Sequence, residues 1–214
     1  MNDWQKKFLG NWRNRNELEP QVEEIPERTE FITILVEVKE EELRQELRKA
    51  QEEIEEFECV DPVPEDYFHI TVKLGGFLVE DPGEEDELGE DHLDEIVEEI
   101  RQIVEKHESF RLEVRNLNLF SNVVFAETYD IEGELESLHN EMCQIEKLMN
   151  EPYDFLPNVT LCHFGSEEEF GELVDRLEEI RKQEFGGFEV EEISLVRDDL
   201  KEGKNFEVIE SFKL

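Results

Sequence analysis

The sequence predicts an α+β protein of two pseudo-symmetric sheet-and-helix lobes around a central cleft. Three observations carry that expectation. Apolar residues recur at helical spacing in four segments, and seven other segments are rich in Val, Ile, Thr and Phe. From residue 31 the order is strand, helix, strand, helix, strand, and from residue 122 it repeats with one added strand. The middle strand of each repeat carries a polar-x-Thr element, FHITVKL in the first and PNVTLCH in the second.

The chain opens with MNDWQKKFLGNWRNRN. Trp4, Phe8 and Trp12 fall at i, i+4 and i+8 among Lys6, Lys7, Arg13 and Arg15. Residues 1–16 carry a net +3, which leaves −41 for the remainder. Residues 1–27 therefore read as a basic, aromatic extension. It is expected to pack on the acidic surface of its own domain or to contact another subunit or a nucleic acid. Residues 28–214 form the domain, with interleaved lobes and repeats at about 31–120 and 122–214.

The expected strands are FITILVEV from Phe31, YFHITVKL from Tyr67, FRLEVRNLNLF from Phe110, NVVFAETY from Asn122, NVTLCHF from Asn158, FEVEEISLV from Phe188 and FEVIESFKL from Phe206. One helical stripe is Leu43, Leu47, Ala50, Ile54 and Phe57, and a second runs from Leu93 through Ile96 and Ile100 to Val104. A third joins Leu135, Leu138, Met142, Ile145 and Leu148, and a fourth Phe170, Leu173, Val174, Leu177 and Ile180. Ser166 and Glu169 have the spacing of a capping box ahead of the fourth. His92, His107 and His139 lie on predicted helices and are expected to be exposed. Residues 80–95, EDPGEEDELGEDHLDE, read as a solvated acidic loop without the ligand register of a calcium-binding hand.

Regular alternation puts His69, Thr71 and Lys73 on one face of their strand, and Asn158, Thr160 and Cys162 on one face of the other. It turns His163 away unless a bulge re-aims it. No phosphate-cradling Gly-rich loop is present. Cys59, Cys143 and Cys162 are scattered and form no CxxC pair, which argues against a disulfide framework or a zinc site and fits a reducing cytoplasm. No apolar run is long enough to span a membrane, so no membrane partner is expected.

These residues resemble the 2H phosphoesterase superfamily, in particular its branch of 2′-5′ RNA ligases and RNA 2′,3′-cyclic phosphodiesterases. That family has two His-x-Thr/Ser motifs, one per lobe. FHITVKLGG, with a Gly-containing turn after the strand, is similar to the first, and FLPNVTLCHF, with its preceding proline, to the second. SNVVFAETYDIEGELESLHNEM and ISLVRDDLKEGKNFEVIESFKL also read like family segments. The resemblance covers about residues 28–214. It departs at the second motif, where Asn158 stands in place of the histidine, and at His163, where many members have arginine.

The resemblance implies a bilobal 2H-type fold. Its ligand would be an RNA end or small nucleotide with a 2′,3′-cyclic phosphate or a 2′-5′ linkage, and the chemistry needs no metal or other cofactor. One histidine of the pair takes a proton and the other gives one, and the threonines donate to phosphate oxygens. Here His69 would be the catalytic group, with Thr71, Asn158, Thr160 and Lys73 binding substrate. Asn158 cannot carry a proton at neutral pH. The chain is then either a phosphodiesterase with an impaired acid–base pair or a binding or interaction module that keeps the fold.

With 60 acidic and 22 basic residues, the net charge is −38. Such a surface fits a protein hydrated in concentrated salt or, alternatively, an ordinary, very acidic cytosolic protein. At low ionic strength the body repels itself and any nucleic acid, whereas at molar salt the Debye length is only ~3 Å. The melting temperature should therefore rise from low to molar salt. A flat or falling series would remove the halophilic reading.

Overall fold

The computed structural model describes residues 3–22, 27–151, 153–201 and 204–214. Helix α1 (Asp3–Arg13) is followed by β1 (Glu30–Glu37), α2 (Glu41–Glu52), β2 (Val60–Pro62), β3 (His69–Val79), β4 (Glu87–Gly89), α3 (Leu93–Val104) and β5 (Phe110–Leu119). The second half contains β6 (Val123–Asp130), α4 (Glu134–Met142), β7 (Asn158–Phe164), α5 (Phe170–Ile180), β8 (Glu184–Val190), β9 (Glu192–Asp199) and β10 (Phe206–Lys213).

The strands form one sheet in the order β10-β9-β1-β3-β7-β6-β5-β8, with β4 beside β3 and β2 beside β7. The two lobes are halves of this curled sheet. β3 and β7 lie side by side at the centre, joined by the single pair Ile70–Val159. The end of each repeat crosses over: β5 pairs with β6, and β9, with β10 beside it, pairs with β1. The helices cross as well. α2, which follows β1, packs on β7 and β8, and α4, which follows β6, packs on β3. The segment FEVEEISLV, expected as one strand, is therefore two. The chain breaks at exposed Glu191, with β8 in one half and β9 in the other.

The second and fourth helical stripes bury as their spacing predicts. The first and third are cut short, because α2 ends at Glu52 and α4 at Met142, and Ile54, Ile145 and Leu148 reach the core from the turns beyond them. The capping box does not form. Ser166 Oγ accepts from Glu168 N–H and donates to Glu58 O, both at 3.2 Å. Glu169 enters α5 with φ 58°, and its carboxylate accepts from Glu58 N–H at 2.9 Å. Both side chains tie the connection to residue 58 rather than to the helix. The glycines of the first motif are not a turn either. β3 runs on through them to Val79, and a Cβ on Gly75 would lie 2.8 Å from Ile32 O.

The basic extension packs on its own domain. Trp4 and Phe8 are buried with Val123, Phe125 and Tyr129, and Trp12 packs against the main core. The Phe8 ring lies 5.3 Å from that of Tyr129. Buried Asn118 donates to Phe8 O at 3.0 Å, and Asn11 Nδ2 donates to Leu119 O at 2.6 Å. Lys7 pairs with Asp154 and Arg15 with Glu178. Removing a buried aromatic ring typically costs about 3–5 kcal/mol. Phe8→Ala should approach that loss in denaturant unfolding, whereas an ornamental helix would give about 0.5 kcal/mol or less.

Candidate active site

The Ile70 and Val159 side chains both point into the core. Their neighbours therefore face the other way, and His69, Thr71, Asn158 and Thr160 sit half-buried on one face around that central pair. β6 extends the same face, with Phe125 opposite Thr160 and Glu127 opposite Asn158.

A bulge in each central strand then changes the alternation. In β3, Thr71 pairs with Leu35 and Lys73 with Ile34, so Val72 is extra. Val72 and Lys73 are both buried. Lys73 does not share the face of His69 and Thr71. Its Nζ donates to Met149 O at 2.6 Å and lies 3.5 Å from the Glu151 carboxylate, with the side chain 3% exposed. In β7, Thr160 pairs with Phe125 and Cys162 with Val124, so Leu161 is extra. Leu161 and Cys162 go into the core, and His163 turns to the face of Thr160. The expectation that His163 points away is thus corrected by the bulge.

His69 is held by its ring nitrogen Nδ1, 2.7 Å from Tyr67 O. A carbonyl only accepts, so Nδ1 carries the proton and Nε2 presents its lone pair. The rings of Tyr67 and Phe206 stand edge-on to the imidazole at 5.0 and 5.9 Å. Burial lowers the His69 pKa below the ordinary histidine value, and nearby His163 lowers it further. Tyr67 O and Glu37 act in the opposite direction.

Asn158 repeats half of this arrangement. Its Nδ2 donates to Leu156 O at 3.0 Å, two residues back, as His69 Nδ1 does to Tyr67 O. The amide reproduces the anchoring N–H of an imidazole and supplies nothing in place of Nε2. Thr160 Oγ1 is 3.4 Å from Asn158 Oδ1.

Carboxylates surround the face. The Tyr67 hydroxyl donates to Asp198, whose pKa is raised mainly by burial. Glu37 lies across from His69 and accepts from Ser194 Oγ at 3.1 Å. Glu127 is fully buried, paired with Arg181 and accepting from Asn116, Asn118 and Tyr129. Between this network and α1 lies a cavity of about 660 Å³, lined in part by Arg115, Arg181 and Lys182.

Sequence reasoning missed Tyr67, Phe206 and the Glu127 network. Tyr67 could have been found as the carbonyl two residues before the histidine, whereas Phe206 arrives from the far end of the chain. Two histidines expected to be exposed are not. The His107 ring is bracketed by Glu134 and Glu141 at 3.0 and 2.9 Å, and His139 is buried against Val72 O. Both sit where α4 packs on neighbouring elements; for His139 that overrides its outward position on an isolated helix, whereas His107 is not on a helix at all, since α3 ends at Val104.

The burial and the neighbouring imidazole make a direct prediction. In an NMR titration His69 should lose its proton with a midpoint below 6.5. Because its folded pKa lies below its unfolded value, its contribution to stability is full above pH 6.5 and is lost as pH falls towards the folded pKa. A midpoint at or above 6.5 would contradict this environment.

The geometry can be set beside known proteins. The family model described as the 2′-5′ RNA ligase superfamily matches residues 40–202. A protein of Oceanobacillus iheyensis named "Putative phosphoesterase OB1230" is 26% identical over 112 residues, 51% of this chain. The match covers 60% of that relative's length. TT0787 of Thermus thermophilus superposes with a TM-score of 0.64 at 25% identity, over 86% of this chain and 97% of its own. Escherichia coli LigT complexed with 3′-AMP gives 0.62 at 15% identity, over 87% and 98%. With residues 40–202 matched by the family model, the chain belongs to the 2′-5′ RNA ligase superfamily.

Proposed function

We propose that the protein acts on, or binds, RNA ends or small nucleotides bearing a 2′,3′-cyclic phosphate or a 2′-5′ linkage, with an impaired acid–base pair. One observation carries this reading. The two central strands present matched positions, each anchored to the carbonyl two residues back, and only His69 has a free imidazole nitrogen beyond the anchor. LigT structures with 3′-AMP and with phosphate support a phosphate-bearing ligand. Three free thiols and the lack, among the described residues, of a helix long and apolar enough to cross a membrane are compatible with a cytoplasmic setting.

In this reading His69 Nε2 exchanges the proton of the attacking or leaving oxygen. Thr71 and Thr160 hydroxyls hold phosphate oxygens, and the second N–H of Asn158 holds an oxygen or a water. Lys73 is assigned no contact with substrate, since its ammonium is committed to Met149 O and Glu151. His163 favours a second source of proton transfer, because the β7 bulge brings it within electrostatic reach of His69.

Single-turnover hydrolysis of a 2′,3′-cyclic nucleotide at high salt tests the proposal. Wild type should be slow, and Asn158→His should raise the rate by about 10²-fold or more. His69→Ala should abolish turnover in both backgrounds. If His163 stands in for the missing imidazole, His163→Ala should lower the residual wild-type rate and have little effect once Asn158→His is present. Saturable nucleotide binding with no turnover in any variant would assign a binding module. Fast wild-type turnover untouched by His69→Ala would sink the mechanism.

A further inference from the structure

On the helix side of β3, away from the cleft, His139, Cys143 and Glu151 gather with all three donor atoms within 4.8 Å of one another. His139 and Cys143 are four residues apart at the end of α4, which puts them on one helix face. Glu151 returns from the segment that follows. We propose that these three side chains form a binding site for a single zinc ion.

The distances fit. His139 Nε2 lies 3.5 Å from Cys143 Sγ and 3.9 Å from Glu151 Oε2. Tetrahedral zinc, with bonds of about 2.0 Å to nitrogen and 2.3 Å to sulfur, separates those two donors by about 3.5 Å. The nitrogen–sulfur edge is therefore already formed, and the carboxylate oxygen, within 4.8 Å of the other two donors, has to move in to close the site.

The surroundings orient the donors. His139 Nδ1–H donates to Val72 O at 2.8 Å, which fixes the tautomer and leaves the Nε2 lone pair towards Cys143 and Glu151. The imidazole is held flat against the Phe155 ring at 3.8 Å. Glu151 Oε1 accepts from Leu74 N–H at 2.8 Å and faces Lys73, which leaves Oε2 as the oxygen beside His139. Outer partners of this kind accompany metal-bound histidines and carboxylates. A nitrogen, sulfur and oxygen donor set suits zinc and does not suit magnesium or calcium. Cys143 is exposed, so the fourth position opens to water. Lys73 is the opposing charge, and a thiolate with the Glu151 carboxylate exceeds it. The ion would pin the end of α4 and residue 151 to the bulge of β3, on the reverse of the strand that carries His69. Cysteine spacing conceals such a site, because only one of its ligands is a cysteine.

The full chain, stripped with chelator, is titrated with cobalt(II) and then zinc. The expected result is one equivalent of cobalt with thiolate-to-metal charge-transfer absorption and tetrahedral visible bands, both bleached by one equivalent of zinc. Cys143→Ser should abolish the charge-transfer band, and Glu151→Gln should weaken zinc binding at least tenfold. Zinc should raise the melting temperature of wild type and not of Cys143→Ser. Should Cys143→Ser fail to fold, Glu151→Gln decides. Octahedral cobalt spectra without a thiolate band would mean adventitious binding by surface carboxylates and overturn the proposal. So would a band that survives Cys143→Ser, which would place the metal on Cys59 or Cys162.

Discussion

The two half-sheets are joined by one pair of residues, Ile70 against Val159, and the arrangement of the cleft depends on that junction. Both side chains are fully buried, so each contributes about 1.5–3 kcal/mol of apolar burial. Main-chain pairing there is minimal, and the seam is held chiefly from beneath. α2 underlies β7 and β8, and α4 underlies β3, so each helix braces the half opposite to its preceding strand. Because the core takes Ile70 and Val159, their neighbours His69, Thr71, Asn158 and Thr160 are forced to the other face.

The two bulges are the second constraint. Each follows the threonine of its motif, and each sends two successive residues inward. The next side chain then returns to the cleft face, Leu74 in one strand and His163 in the other. The same device thus commits Lys73 and Cys162 to the interior. In so acidic a chain, burying Lys73 beside Glu151 also removes one cation from the face that carries His69 and Thr71.

Much of the fold was legible because it rests on local pattern. β7 coincides with the predicted segment, and the stripes of α2, α3 and α5 are the buried faces. The motif positions were legible for the same reason, since alternation alone sets His69 and Thr71 together. What strict alternation hid were the bulges, which depend on register with β1 and β6. Partners far away in sequence, such as Phe206 beside His69, carry no local signal. The burial of His139 was hidden because helix spacing shows which face is apolar and not which polar face meets a neighbouring element, and that of His107 because α3 ends at Val104, ahead of it.

The crossing of β5 and β9 has a consequence for how such a chain can be assembled. Neither repeat completes a lobe by itself, since the first lends β5 to the other half and the second lends β9 and β10. The molecule is, in topology, a pair of half-length units that have exchanged their ends and been spliced into one polypeptide. Chain cleaved in the short link between Leu119 and Val123 would yield two pieces, each with an unfilled strand position beside its own first strand. Those pieces complement one another, and a lone half must fill its open position with its own unlent end or with a strand from a second copy.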